Sequence, residues 1–318
     1  MFLESNIMMN VSARLPRALA ALVASTFMLG AVAADAQAQD LRVQHAKGET
    51  NVPLKPKKVL AFDLASLDTL NALGVDVSGV PTARFPEYLA KYGSDKYEKV
   101  GTLFEPDYEA VNAAGPDLII VGGRSSAKYA DLAKIAPTID MTVDPKDYVG
   151  SVKRNVQLLA KIFDKQAEAE THLAKLEKSM TDLRQEALKA GKGLLILTTG
   201  GKMSAYGPGS RFGHLHTDFG IVPAVVDLAT TNHGQAVSAE FILKTNPDWL
   251  FVIDRDVVTG RDSGAAKKVL GNDLVAQTTA WKNNQVVYLD ATDWYLIGGG
   301  LTAMQASVDQ IAKALAKK

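Results

Sequence analysis

Pro116-Asp117-Leu118-Ile119-Ile120-Val121-Gly122-Gly123-Arg124 decides the fold because its pattern occurs twice. At Pro247-Asp248-Trp249-Leu250-Phe251-Val252-Ile253-Asp254-Arg255 the same order returns: proline, aspartate, an apolar run, and an arginine just past its end. Asp248 follows Asp117 by 131 residues, and Glu240 follows Glu109 by the same interval. A short apolar run with no polar alternation predicts a strand buried on both faces, as in a parallel sheet covered by helices. Its return at a fixed interval predicts a duplicated α/β lobe.

Ahead of the first copy, Val59 to Phe62 reads as a buried strand, Ala65 to Leu73 as a helix stopped by Gly74, Val75 to Val80 as a second strand, and Glu105 to Gly115 as a helix. From about Asp147 to Lys192 the character changes. Val152, Val156, Leu159 and Ile162, then Leu173, Leu176, Met180 and Leu183, recur every three or four residues among many charges. Ser151 to Ala190 holds neither Pro nor Gly, so one long helix, or two broken near Phe163-Asp164, is expected. Leu194 to Thr198 restarts the strand pattern. The expected organisation is a leader over 1–38, an N-terminal α/β lobe over 39–146, a connecting helix over 147–192 and a C-terminal α/β lobe over 193–318.

The leader reading rests on Arg14 and Arg17 ahead of an apolar run from Ala18 to Ala34, then Ala36-Gln37-Ala38. This is the layout of a secretory signal, with Met8 or Met9 as alternative starts and a mature chain beginning near Gln39. The chain has no Cys. Disulfides, thiolate metal sites and cysteine nucleophiles are thereby excluded, and no lipid anchor on a cysteine after the apolar run is expected. Lys plus Arg number 35 against 35 Asp plus Glu, a balance that argues against nucleic acid as a partner. Gly207-Pro208-Gly209-Ser210-Arg211-Phe212-Gly213 lacks the spacing of a dinucleotide loop, and Gly201-Lys202 is followed by Met203 rather than Ser or Thr. No nucleophile elbow or paired-histidine zinc motif occurs.

Chemistry-bearing residues gather at predicted strand ends and loops. Ligands of parallel α/β sheets bind beyond the carboxyl ends of the strands, where Arg124 and Arg255 emerge; Arg211 joins them from the Gly-rich loop. Three guanidinium groups lining one cleft would select an anion with planar oxygen acceptors, the alternative being surface arginines paired with acids such as Asp254 or Asp256. His233 lies in the turn Thr231-Asn232-His233-Gly234, and Tyr295 precedes the triple-glycine bend Gly298 to Gly300. Phenolate suits a hard trivalent ion such as iron(III), and imidazole tolerates it. His214 and His216 fall in an expected helix from Ser210 to Gly220, pointing apart, and His172 on the charged spacer. Glu109 and Glu240 either complement helix dipoles or form paired anionic contact points, one per lobe.

Gly122-Gly123-Arg124, Ser210-Arg211-Phe212-Gly213, His233-Gly234, Asp254-Arg255 and Trp294-Tyr295, in this order, resemble the ferric catecholate siderophore binders of the enterochelin-uptake type. These belong to the cluster III periplasmic substrate-binding proteins of ABC importers. The resemblance implies two Rossmann-like lobes with central parallel sheets joined by a long rigid backbone helix, and no enzymatic activity. It implies that Arg124, Arg211 and Arg255 grip catecholate oxygens around the iron, and that His233 and Tyr295 complete the coordination of a tetradentate siderophore. Glu109 and Glu240 would form salt bridges with an inner-membrane ABC permease. Iron(III) would enter only as part of the cargo, with no intrinsic cofactor, and the protein would work as a soluble periplasmic monomer. Two alternatives stay open: a haem or corrinoid carrier of the same architecture, with His233 and Tyr295 as axial ligands, and an exported metalloenzyme using His214, His216 and Asp218.

Overall fold

The computed structural model describes residues 40–261 and 264–317, so the expected leader lies outside the described residues. An antiparallel hairpin, β1 (Asp40–His45) and β2 (Gly48–Pro53), opens the chain. The first lobe follows with β3 (Val59–Ala61), α1 (Leu64–Ala72), β4 (Gly79–Thr82), β5 (Glu98–Thr102), α2 (Tyr108–Ala114), β6 (Leu118–Val121), α3 (Tyr129–Leu132) and β7 (Thr138–Asp140). Its strands form one parallel sheet in the order β5-β4-β3-β6-β7. β3 and β6 are buried at every residue, which is why they read as unbroken apolar runs.

The spacer is two helices, α4 (Tyr148–Phe163) and α5 (Gln166–Ala190), broken where Asp164 turns left-handed at φ 57°. The second lobe comprises β8 (Lys192–Thr199), β9 (Lys202–Tyr206), α6 (His214–Thr217), β10 (Val222–Pro223), β11 (Gln235–Val237), α7 (Ala239–Thr245) and β12 (Trp249–Asp254). Next come α8 (Arg255–Val258), α9 (Ala265–Leu270), α10 (Asp273–Ala276), α11 (Thr279–Lys282), β13 (Val286–Leu289) and α12 (Leu301–Leu315). Its sheet runs β11-β9-β8-β12-β13, with β8, β12 and β13 parallel and β9 antiparallel to β8. The reversal is made by Gly200 and Gly201, both at positive φ, as a two-residue hairpin between twisted strands requires.

The repeat read in the sequence has a matching structural use. Asp117 Oδ2 accepts the Lys57 and Lys58 N–H groups at 2.8 Å each, and Asp248 Oδ2 accepts the Lys192 N–H at 2.7 Å. Each aspartate therefore ties the start of its own strand to the start of the neighbouring one. α2 and α7 are capped alike, by Asp107 and Ser238 at their N-termini and by left-handed Gly115 and Asn246 at their C-termini.

The chain crosses between the lobes twice, through α4–α5 and again through α12, which packs on α5 and on α1 of the first lobe. Asp68 of α1 receives the N–H groups of Thr302 and Ala303 at 2.9 and 3.1 Å, satisfying donors at the start of α12. Gly300 lies so close to Asp68 that a Cβ there would overlap the carboxylate. Burial pushes Asp68 up to about 6, against the pull of these amides. The two crossings and this cap link the lobes.

Candidate functional site

A cavity of about 600 Å³ lies between the lobes, lined by Asp63, Gly123, Arg124 and Thr142 from the first and by Arg211, His233, Arg255 and Tyr295 from the second. All five residues expected to meet the ligand or its metal are therefore brought to one wall or another of a single cavity. Glu109 and Glu240 are elsewhere: both are exposed, in the first turns of α2 and α7.

Tyr295 is the hub. It sits in a π-helical turn, Thr292–Ile297, started by Asp290, whose Oδ1 accepts the Thr292 and Asp293 N–H groups at 2.8 and 3.2 Å. The turn is ended by Gly298 at φ 69°. Such turns are rare and collect at functional sites. The guanidinium carbons of Arg211, Arg255 and Arg124 stand 4.4, 5.3 and 5.4 Å from the Tyr295 ring centroid. Three cations around one ring face an electron-rich π surface, which offsets part of their mutual repulsion.

The three arginines are held differently. Arg124 leaves the end of β6 through Gly122 and Gly123, and donates to the carbonyls of Leu296 at 2.9 Å and Tyr295 at 2.7 Å. Burial, and then the nearby Arg211, lower its pKa from the usual guanidinium value. Arg211 donates to the same Tyr295 carbonyl at 2.9 Å from a compact turn, in which Ser210 Oγ donates to the Gly207 carbonyl at 2.6 Å. Arg255 opens α8 at the end of β12. It is not paired with the neighbouring acids, since Asp254 accepts the Asp256 and Ala266 N–H groups and Asp256 accepts that of Gly200. Among the described residues no group accepts a hydrogen bond from Arg255, and its Nε is buried without a partner.

His233 is exposed, at the third position of a turn closed by the Gly234 N–H donating to the Thr231 carbonyl at 3.0 Å. Gly234, at φ 67°, has no room for a Cβ against Tyr206.

The helix expected from Ser210 to Gly220 is only the single turn of α6, because the preceding Gly-rich residues form a turn of their own. His214 and His216 are both buried there. The His214 ring lies stacked between Tyr148, 4.0 Å away, and Trp294, 4.8 Å away. Burial first, and then the neighbouring His216, push His214 down to about 3, so it serves as a neutral flat ring. His216 Nδ1 meets the Ile221 carbonyl at 2.8 Å. Among the described residues no group of three or more His, Asp or Glu side chains is arranged to hold a metal.

Some cavity residues were not anticipated. Asp63 caps α1, accepting the Ser66 N–H and hydroxyl at 2.9 and 2.7 Å. Burial raises its pKa against the pull of those donors and of Arg124. It occupies the end of β3 as Arg124 does that of β6, so the strand-end rule could have found it. Tyr148 and Phe104 also line the cavity.

A profile of the periplasmic binding protein family matches residues 59–292. The chain belongs to this family. Its members are substrate-binding proteins rather than enzymes, which removes the metalloenzyme alternative. The periplasmic binding protein described here is 44% identical over 288 residues to the petrobactin-binding protein YclQ of Bacillus subtilis, covering 89% of this chain and 90% of that one. It is 31% identical to the ferric-anguibactin-binding protein FatB of Vibrio anguillarum, over 85% of this chain and 86% of that one. The crystal structure of YclQ superposes with a TM-score of 0.85 over 88% of this chain and 100% of that one. The periplasmic catecholate-siderophore binding protein VctP of Vibrio cholerae, 33% identical, superposes at 0.83 over 86% of this chain and 99% of that one.

Proposed function

We propose that this chain captures a ferric siderophore of the catecholate type in the cavity between its lobes and delivers it to an inner-membrane ABC permease. The observation that carries this reading is the convergence of three guanidinium groups on the Tyr295 ring at the cavity wall. A ferric catecholate is an anion whose charge is spread over oxygens around one metal. A cationic cleft with low-dielectric walls attracts and orients such an anion without making or breaking a bond. Relatives named for petrobactin, anguibactin and catecholate siderophores support the same cargo class.

In this reading Arg124, Arg211 and Arg255 contact the chelate oxygens, and His233 and Tyr295 fill iron positions left open by a tetradentate siderophore. Glu109 and Glu240, equivalent in the two lobes, would meet basic residues of the permease. Residues 39–146 and 193–318 act as the two lobes about the spacer 147–192, and the protein works as a soluble monomer in the periplasm. Among the described residues no helix is long and apolar enough to cross a membrane.

Fluorescence titration with ferric bis-catecholate, ferric dicitrate and haem tests the reading, because Trp294 lines the cavity. Saturable quenching by the ferric bis-catecholate at one equivalent is expected. No binding of that chelate, or a Soret shift with stoichiometric haem, would overturn it.

A further inference from the structure

Phe104 is 57% exposed, yet the loop that carries it is built rigidly. Thr102 Oγ1 accepts the N–H groups of both Phe104 and Glu105, at 3.3 and 3.0 Å, and the Thr102 N–H donates back to the Glu105 carbonyl at 2.8 Å. Gly101, at φ 116°, enters the loop where a Cβ would overlap the backbone of Glu105 and Asp107. Glu105 pairs with Lys128 at 2.7 Å, tying the loop to the segment before α3, and Asp107 caps α2. Among the described residues the Phe104 ring has no aromatic neighbour and joins no apolar cluster.

A single exposed apolar ring is ordinary on a protein surface; what marks Phe104 is that its hydrogen-bonded loop sets it in the lining of the cavity, where a ligand covering it would bury apolar area. Phe104 lines the same cavity as His233, Arg255 and Tyr295. The cations there call for an anionic ligand, and the Phe104 ring calls for a flat apolar surface on that ligand beside its charged oxygens. A chelate whose donor oxygens are borne on aryl rings has both.

We infer that Phe104 is a specificity-determining residue of the cleft, stacking on an aryl ring of the bound ferric chelate. The inference rests on the proposed siderophore function and deepens it by naming the residue that would tell an aryl chelate from a carboxylate or hydroxamate one. Offset or edge-on aromatic contact adds to the area buried, so the ring's aromaticity matters beyond its size.

The test is the affinity of Phe104→Ala, Phe104→Leu and Phe104→Trp for a ferric bis-catecholate, with melting temperature as the check on folding. Phe104→Ala is expected to weaken binding about tenfold, Phe104→Leu to recover only part of the loss, and Phe104→Trp to bind as the wild type does. Tyr108→Ala, a few residues on and outside the cavity lining, is expected to leave binding unchanged. Wild-type affinity in Phe104→Ala or Phe104→Leu, or an equal loss in Tyr108→Ala, overturns the inference. Failure of the wild type itself to bind the chelate overturns the proposed function instead.

Discussion

Replacing Arg255 or Arg124 with alanine gives opposite balances of affinity and stability. Arg255 gives no hydrogen bond to the described residues, and its Nε is a buried donor without a partner. Removing it breaks no hydrogen bond within the protein, and the cation–π contact it loses with Tyr295, at 5.3 Å, is set against relieved repulsion among three neighbouring cations, so the melting temperature stays level or rises. It takes from the ligand a guanidinium whose charge-assisted hydrogen bonds contribute about 1.5–3 kcal/mol, which corresponds to a roughly 10- to 150-fold loss of affinity. Arg124 instead holds the Tyr295 and Leu296 carbonyls at 2.7 and 2.9 Å. Arg211 still serves the first after its removal, but the second is left bare, so Arg124→Ala costs about 1.5–3 kcal/mol of stability, a fall of several degrees. Scanning calorimetry of the free proteins and titration with a ferric bis-catecholate measure both quantities. If Arg255→Ala lost several degrees while keeping its affinity, the assignment of its donors to the ligand would be refuted.

Tyr295→Phe and His233→Ala are expected to weaken a tetradentate ferric siderophore more than a hexadentate one, whose iron has no open positions; equal losses in parallel titrations would defeat the coordination role. Glu109→Ala combined with Glu240→Ala is expected to leave siderophore affinity unchanged and to abolish uptake through the reconstituted permease, and undiminished uptake would remove both residues from docking. Asp293 is pushed up to about 7 by burial first and then by Asp290 and Asp68. A carboxyl whose pKa is higher in the folded than in the unfolded chain binds more protons when folded, so its contribution falls as pH rises from about 4 through 7. Asp293→Asn is therefore expected to stabilise the fold at pH 8 by on the order of 1–2 kcal/mol after solvent screening at its exposed edge, read as a higher melting temperature, and to change little at pH 4.5. Equal gains at both pH values in thermal scans would contradict this.

What the sequence made legible follows from locality. Arg124 and Arg255 could be placed because a buried strand announces its own end, and the α/β sheet puts that end at the cleft. Asp63 obeys the same rule after β3, although its carboxylate adds no cation to the cleft. The second strand is expected at Val75 to Val80 and lies at Gly79–Thr82, and the helix expected from Glu105 starts at Tyr108, after the Asp107 cap. The stack of Tyr148, His214 and Trp294 joins three distant parts of the chain, and no local pattern encodes it. The same holds for the convergence of three arginines on Tyr295: each residue was identifiable, but their common centre is a property of the packed lobes.

The most direct test is the crystal structure of this protein with a ferric bis-catecholate. The chelate is expected between the lobes, its oxygens against Arg124, Arg211 and Arg255, with His233 and Tyr295 on the iron. A chelate bound on any other face, with that cavity unaltered, would contradict the account.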